Sequence, residues 1–133
     1  MWLLDTNAWI VYLNRKPNPV KTRIALVSEA QIVMCDVVKA KLFYGAYKSL
    51  KVDENLAKLE FLFSLVESFS FEAKAVAQFG DIRAYLAKQG TPIGPYDLQI
   101  AAVARTHDLT LVTHNTKEFS RVPDLDIEDW EVE

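Results

Sequence analysis

The sequence predicts a three-layer α/β fold, with a mainly parallel sheet of four to five strands and helices on both of its faces. Two observations lead to this fold class: short apolar runs alternate with longer segments of helical period, and the chain shows neither internal repeats nor a linker. Parallel strands need helical crossovers, and the sheets that they form are covered on both faces. With 133 residues, half of them apolar, we expect one domain over residues 1–133.

The first half of the chain is predicted to supply two strands and four helices. The strands are the apolar runs WLLD at 2–5 and QIVMC at 31–35. Each helix has apolar residues at helical spacing, and most have a polar residue that can cap the first turn. The first helix begins at Thr6 or Asn7 and stops before Pro17, and the second covers 20–30. The third helix has Asp36 as its N-cap, and the fourth has Asp53.

The second half of the chain continues the alternation. A brief strand over 68–71 precedes a helix over 72–89, which Gly90 ends. Pro95 suits the first position of the next helix, which runs to about Thr106. The remaining predicted elements are a strand over 109–113, a polar turn and a short edge strand near Ile127.

The composition limits the cellular compartments and the binding partners that we expect for the protein. Cys35 is the only cysteine, so an intramolecular disulfide is excluded. Neither a leader pattern nor an apolar stretch long enough for a bilayer is present, and we expect a cytoplasmic protein with no membrane partner. The net charge of −3 argues against nucleic-acid binding through a basic surface. It is compatible with an enzyme that meets nucleic acid through bound cations.

Several polar residues are expected at one edge of the sheet. Asp5 ends the first strand, while Thr113, His114 and Asn115 follow the strand at 109–112, and Asp97 lies in the first turn after Gly-Pro. Ligands of parallel sheets bind outside the carboxyl ends of the strands. Carboxylates gathered there repel one another unless a cation is present, and hard oxygen ligands suit Mg²⁺ or Mn²⁺. Such an ion could orient water for attack on a phosphodiester.

Each of these residues also has a purely structural interpretation. Asp5 can be a helix cap, and Asp97 can be an acid that the dipole of its helix favours. Thr113 and Asn115 are ordinary turn residues. The functional interpretation therefore depends on their convergence at one sheet edge.

Five segments in a fixed order carry a resemblance to a known family. They are LLDTN (3–7), VVKAKLFYGA (37–46), FGDIRAYLAKQG (79–90), PIGPYDLQIAA (92–102) and LTLVTHNTKEF (109–119). Together they resemble a PIN-domain ribonuclease of the VapC type, the toxin of a toxin–antitoxin pair. The resemblance covers nearly the whole chain and implies an endoribonuclease that depends on Mg²⁺ or Mn²⁺.

The resemblance also assigns roles to positions of this sequence. Asp5 and Asp97 match the metal-ligating acids, and Asn115 matches a position that orients a metal-bound water or the substrate. The supporting polar positions that hold these acids are Thr6, Asn7 and Thr113. Arg83 matches the arginine of the family's Ile-Arg segment, but its structural interpretation as a solvated or ion-paired helix residue is favoured.

Lys41 is a departure from the family pattern. The family has V-x-A-E-L-x-x-G on the third helix, and this chain reads VKAKLFYG over 38–45. Lys41 therefore stands where a catalytic glutamate is expected, among the catalytic positions Asp5, Asp97 and Asn115. An ammonium offers donors and no acceptor, so we expect it to pair with the acids and compete with the cation. Alternatively, its long stem lets it point outward and leaves a weakened site.

Two function classes follow from Lys41. One is a toxin ribonuclease that is inactive or impaired in this chain, and the alternative is an inactive PIN domain that binds RNA or an antitoxin. Haloacid-dehalogenase-like phosphatases fit less well, because they need a second acid where this chain has Asn7. Receiver domains fit poorly too, since they need an early pair of adjacent acids.

The resemblance implies three partners: a VapB-type antitoxin whose tail lies along the toxin, an RNA substrate, and a second copy in a homodimer that forms a higher assembly with the antitoxin. The stretch FLFSLV (61–66) and the aromatic residues Trp2, Trp9 and Tyr12 could supply such surfaces, although we expect them in the core. His107 and His114 lack metal-ligand spacing and are expected at the surface.

Overall fold

The computed structural model describes residues 1–132, and its centre is a five-stranded sheet in which every strand pairing is parallel. The predicted α/β fold is confirmed, with five strands in the order β3-β2-β1-β4-β5. The strands are β1 (Trp2–Leu4), β2 (Ile32–Cys35), β3 (Glu67–Phe69), β4 (Thr110–Val112) and β5 (Ile127–Glu128).

Seven α-helices connect the strands within residues 1–132. They are α1 (Thr6–Leu13), α2 (Pro19–Ala25), α3 (Asp36–Tyr47), α4 (Val52–Leu65), α5 (Lys74–Gln89), α6 (Pro95–Thr106) and α7 (Thr116–Phe119). The chain moves outward from β1 to β3 and then crosses back to β4 and β5 on the other side of β1. Since parallel crossovers are right-handed, this reversal places the first four helices and the last three on opposite faces.

The core lies between the sheet and these helices. All four residues of β2 are buried, and Leu3 and Leu4 of β1 are fully buried. Helix α6 is buried along its middle, from Ile100 to Ala104, where three alanines allow close approach of neighbouring elements. Trp9, Phe119 and Trp130 are the largest buried side chains. The resulting rigid sheet holds the carboxyl ends of β1 and β4 side by side.

The starts of several helices differ from prediction. The N-cap of α1 is Asp5, because its carboxylate accepts the backbone N–H of Thr6. Asp36 and Asp53 lie in the first turns of α3 and α4 rather than at the caps. These acids still favour the helix starts through the dipole. Helix α5 begins at Lys74 rather than residue 72, since the preceding Ala73 has a φ of 51°.

The helix predicted over 20–30 is shorter than expected. Helix α2 ends at Ala25, and a separate 3-10 turn covers Glu29–Gln31. Leu26 is 76% exposed, so a longer helix would gain little apolar burial there. Within residues 1–132, no helix is both long and apolar enough to cross a bilayer.

The predicted core position of the aromatic residues is confirmed for Trp9 and in part for Trp2 and Tyr12, which are half-buried. It is wrong for part of FLFSLV, because Phe61 is 69% exposed and Leu65 is 66% exposed. These two residues lie on the outer side of α4, while Leu62 faces the core. Helix α4 therefore presents apolar residues to solvent as well as to the core.

Candidate active site at the carboxyl edge of the sheet

The site lies where the strand order reverses, between β1 and β4. Asp5 follows β1 and is only 6% exposed, and Thr113 follows β4 and is 1% exposed. The Thr113 hydroxyl donates to Asp5 Oδ2 over 2.9 Å, while the Thr6 backbone N–H donates to Asp5 Oδ1 over 2.7 Å. Asp5 is therefore both the helix cap of its structural interpretation and a member of the sheet-edge cluster.

The β4 loop extends this network. The backbone N–H of Asn115 donates to the Thr113 hydroxyl over 3.0 Å, so Thr113 connects Asp5 with the start of α7. Each Asp5 oxygen accepts one hydrogen bond from these groups and retains a further lone pair for a ligand. The network fixes the orientation of the carboxylate without consuming its acceptor capacity.

Asp97 faces the same cluster from the first turn of α6. Its pKa is raised above the ordinary value of 3.8, first by burial and then by the negative charge of Asp5. Lys41 lowers the pKa and Glu118 raises it. Since these charges act on one carboxyl group, residues from β1, α3, α6 and α7 meet in one electrostatic cluster. Asp5, Asp97 and Lys41 therefore lie near one another, and their roles in catalysis stay predictions.

Lys41 reaches this cluster from α3. Its Nζ lies 3.9 Å from Asp97 Oδ1, and its side chain is 34% exposed. The ammonium therefore contacts the acid at the outer limit of an ion pair and stays partly hydrated. Both interpretations made from the sequence apply in part: the long stem extends toward solvent, and the charge still acts on Asp97.

Glu118 was not predicted as a site residue. It lies in α7, where its Oε2 accepts from Asn115 Nδ2 over 3.1 Å, and its charge acts on Asp97. The available signal was its place three residues after Asn115, which matches one turn of a helix. The sequence predicts a polar turn for this segment, and a turn does not imply helical spacing.

The remaining predicted residues lie outside the cluster's hydrogen bonds. Asn7 is exposed, and within residues 1–132 its side chain makes no hydrogen bond. Arg83 is exposed and forms no salt bridge with any described residue, as its structural interpretation expects. His107 and His114 are both exposed, but His114 Nδ1 lies 3.0 Å from Asp129 Oδ2.

A cavity of about 480 Å³ opens beside the cluster and is lined by Thr6, Ala40, Lys41, Tyr44 and Tyr96. The Thr6 hydroxyl is buried and finds no hydrogen-bond partner in the part of the chain that the structure describes. Unpartnered buried hydroxyls are uncommon, and this one is next to the carboxylate of Asp5. The cavity is wide enough for a substrate group, and its tyrosines offer stacking surfaces.

The residues of the cluster fit a hard divalent cation in all respects but one. Asp5, Asp97 and Glu118 supply carboxylates, Asn115 supplies an amide oxygen, and Thr6 has a free hydroxyl that could hold an ion-bound water. The raised pKa of Asp97 reflects burial and mutual repulsion of acids, which a cation would relieve. The ammonium of Lys41 is the exception, because it already supplies part of the positive charge that the ion would bring to Asp97.

Comparison with known proteins extends this picture. The family model for the PIN domain matches residues 2–125. The tRNA(fMet)-specific endonuclease VapC of Salmonella typhimurium is 40% identical over 129 residues, which are 97% of this chain and 97% of that protein. Ribonuclease VapC2 of Rickettsia felis is 36% identical over 132 residues, 98% of each chain.

Solved structures give the same result for the fold. A crystal structure of VapBC2 from Rickettsia felis, bound to a DNA fragment from their promoter, superposes with a TM-score of 0.90 at 36% identity and covers 97% of this chain and 98% of that one. The DNA-bound VapBC from Salmonella typhimurium also gives a TM-score of 0.90, at 40% identity and 97% coverage of both chains.

Proposed function

The chain belongs to the PIN-domain family and, within it, to the VapC ribonucleases, and on this premise we propose that it is a toxin that cleaves RNA phosphodiester bonds. The observation that carries the proposal is the cluster of Asp5, Asp97 and Glu118 at the switch point of the sheet, with charges that act on one another. Acids gathered this way in a site beside a cavity are arranged for cation-assisted phosphate chemistry.

Transfer RNA is the substrate class that we propose. The relatives from Salmonella typhimurium and Shigella flexneri, at 40% and 41% identity, are both named tRNA(fMet)-specific endonucleases. The cavity beside Lys41 carries Tyr44 and Tyr96, which are 66% and 59% exposed and can stack on unpaired bases. Such a substrate implies that the protein acts in the cytoplasm.

Mg²⁺ or Mn²⁺ would be held by Asp5 and Asp97. When bound, such an ion supplies a water of lowered pKa and offsets charge on the leaving oxygen. The residues of the chain do the rest: Thr113 orients Asp5, and Glu118 holds the amide nitrogen of Asn115 so that its oxygen is free for substrate or water. Thr6 can donate its unpartnered hydroxyl to a group in the cavity.

We further propose that Lys41 impairs this reaction. At about 4 Å and an effective dielectric of about 20, two like unit charges repel by about 4 kcal/mol. An ammonium beside Asp97 therefore lowers the affinity for a divalent ion, and the position lacks the carboxylate that the family supplies. Cation affinity and cleavage rate are both expected to be low in this chain.

Comparison of this chain with the Lys41→Glu variant tests the proposal directly. We expect Mg²⁺-dependent cleavage of transfer RNA to rise at least about tenfold in the variant, and Mg²⁺ to raise its melting temperature more than that of the original chain. Lys39→Glu is the matched control, because it makes the same charge change on the same helix while Lys39 lies over the ring of Phe63, 5.1 Å from its centroid. Equal cleavage in all three proteins would contradict the proposed role of Lys41.

An inactive binding module is the second candidate function. The observation in its favour is the contact between Lys41 and Asp97, which partly neutralises the acids without a cation. In that case the Lys41→Glu variant would remain unable to cleave RNA, and the original chain would bind RNA or antitoxin in the presence of EDTA. Restored cleavage in the variant would rule the module out.

A VapB-type antitoxin is the proposed protein partner. A groove of about 360 Å³ reaches Lys41 and lies between α1, α3 and α4. Its lining combines apolar residues, among them the exposed Ile10 and Leu13, with Asn14, Asn55 and Lys58. This groove fits an apolar antitoxin segment that carries a carboxylate for Lys41. The VapBC structures from Rickettsia felis and Salmonella typhimurium are toxin–antitoxin complexes of relatives.

Light scattering tests the assembly. We propose that the chain alone forms a homodimer and that it forms a larger complex with the cognate antitoxin. The substitution Leu13→Asp in the groove should weaken the complex with the antitoxin. Arg83→Asp is the control, because its exposed side chain lies outside the groove. A strict monomer under both conditions would contradict this part of the proposal.

A further inference from the structure

A second group of potential ligands lies one strand farther along the sheet edge. His114 follows β4, while Asp129 and Glu131 follow β5, and one ligand atom from each lies within 4.8 Å of the others. None of these residues belongs to the cluster around Asp97. We propose that His114, Asp129 and Glu131 bind a divalent transition-metal ion, with Zn²⁺ the best fit.

The Asp129 carboxylate is already oriented for this role. Its Oδ1 accepts the backbone N–H of Glu131 over 2.9 Å, which fixes the carboxyl group in a turn. Its Oδ2 points toward His114 Nδ1 at 3.0 Å. Atoms bound to one tetrahedral Zn²⁺ at its usual bond lengths are about 3.3 Å apart. Two of the three ligand atoms therefore have nearly the required separation.

Glu131 provides the independent observation. Its Oε2 is buried and has no hydrogen-bond partner within residues 1–132. A buried carboxylate oxygen without a donor is costly, and a cation supplies what the protein does not. A shared ion would draw the Glu131 carboxylate closer to the other two ligand atoms than the present limit of 4.8 Å.

The donor set selects the type of ion. A histidine nitrogen with two carboxylates suits Zn²⁺ or Mn²⁺, whereas Mg²⁺ prefers oxygen ligands alone. Binding requires a neutral imidazole, because the ligating nitrogen must offer its lone pair to the ion. Three protein ligands leave a fourth position for water.

The location gives the ion a structural role. Thr113 and Asn115 flank His114, and the backbone N–H of Thr113 donates to the Glu128 carbonyl over 2.9 Å. An ion bound by His114, Asp129 and Glu131 would join the loop after β4 to the segment after β5. The loop that orients Asp5 would thereby be fixed from its outer side.

Zn²⁺ titration of the metal-free full chain against a chromophoric chelator tests the proposal. We expect one Zn²⁺ per chain, and a loss of affinity of at least about tenfold in both His114→Gln and Glu131→Gln. His107→Gln is the matched control, because His107 stacks on Phe69 with ring centroids 4.4 Å apart and lies outside the proposed site. Its Zn²⁺ affinity should equal that of the original chain.

Asp97→Asn separates this site from the proposed ribonuclease centre, since it alters that centre alone and should leave Zn²⁺ binding in place. A shift of the His114 ring nitrogen resonances on Zn²⁺ addition would identify the ligand without reference to activity. The proposal is wrong if Zn²⁺ does not bind, if binding survives in His114→Gln and Glu131→Gln, or if Asp97→Asn abolishes it. Circular dichroism of each variant verifies that the fold is retained.

Discussion

At the scale of single residues, Thr113 joins two groups of the site. One hydroxyl donates to Asp5 and accepts from the backbone of Asn115. Both contacts are buried or half-buried, where a lost partner is not readily replaced by water. The orientation of Asp5 therefore depends on Thr113, which is distant in sequence and immediately follows β4.

Thr113→Val tests this dependence. The variant keeps the shape of the side chain but leaves Asp5 Oδ2 and the Asn115 N–H without this partner, so we expect the free energy of unfolding to fall by about 1–3 kcal/mol. Urea denaturation measures the change. Thr110→Val on the same strand is the control, because Thr110 contributes only its backbone to the pairing with Met1. Equal losses in both variants would show that the hydroxyl of Thr113 is unimportant.

Asp97 gives a prediction about pH. Burial and the charge of Asp5 raise its pKa above 3.8, so the ionised form is disfavoured in the folded protein relative to the unfolded chain. The contribution of this group to stability is therefore largest below the ordinary pKa and is lost as pH rises through the raised value.

In metal-free protein we expect Asp97→Asn to raise the melting temperature at neutral pH, with a difference that shrinks toward about pH 4. Thermal melts in EDTA over this range measure it. The exposed Asp126→Asn is the control for a general change of net charge. A lower melting temperature for Asp97→Asn at neutral pH would mean that its contact with Lys41 outweighs the cost of burial.

The sequence was sufficient to predict where Asp5, Asp97 and Lys41 lie, because strand ends and helix phase are local properties. Glu118 could not be placed in the same way. Its helix has only four residues, and its contact with Asn115 depends on how that turn packs under the sheet edge. A turn so short is stabilised by tertiary contacts rather than by its own sequence.

At the scale of elements, α5 has one glycine inside it and another immediately after its last residue. Gly90 ends the helix with a φ of 71°, while Gly80 lies inside it, and a Cβ at either position would meet no atom within 4 Å. Backbone conformation therefore decides the effect of a substitution, and packing does not.

We expect Gly90→Ala to lower the free energy of unfolding by about 1–2 kcal/mol, because a side chain disfavours the left-handed conformation. Gly80→Ala should raise it by about 0.5–1 kcal/mol, because alanine favours a helix interior. Urea denaturation of the two variants measures both signs in one helix. A gain in stability for Gly90→Ala would show that the helix end rearranges.

Element types followed from the sequence more closely than their boundaries did. The apolar runs that form β1, β2 and β4 are each followed by a polar residue, and their positions agree with the structure to within one or two residues. Helix starts shifted by one or two residues, since several polar residues compete for each cap. The early end of α2 depends on the exposure of Leu26, which local periodicity does not reveal.

At the scale of the whole molecule, Cys35 reports on the integrity of the fold. It is fully buried at the end of β2, and burial raises the pKa of its thiol to about 11. Thiol reagents attack the thiolate, so both access and chemistry protect this residue.

We expect an aromatic disulfide reagent at neutral pH to leave native protein unmodified and to label Cys35 only as the whole molecule unfolds. The labelling rate should then follow the unfolding equilibrium across a urea series, and a denatured sample provides the fully reactive control. Rapid labelling of native protein would place Cys35 in a locally mobile segment.

The fold class was accessible from the alternation of strands and helices, but the strand order was not. Pairing of β1 with β4, and of β4 with β5, joins segments that no local pattern connects. The apolar face of α4 was misjudged for a related reason: hydropathy does not distinguish a side chain that faces the sheet from one, such as Phe61, that faces solvent.

The hydrogen bond between Thr113 and Asp5 also has a consequence for biosynthesis, because it joins residues 108 positions apart. Asp5 is translated before Asp97, Thr113 and Glu118. When only β1, β2 and β3 have left the ribosome, the nascent chain contains Asp5 and Lys41 but not the other acids of the cluster. The edge of β1 that later pairs with β4 is then still unpaired. The order of translation thus keeps the site incomplete until the segment that contains Glu118 has left the ribosome.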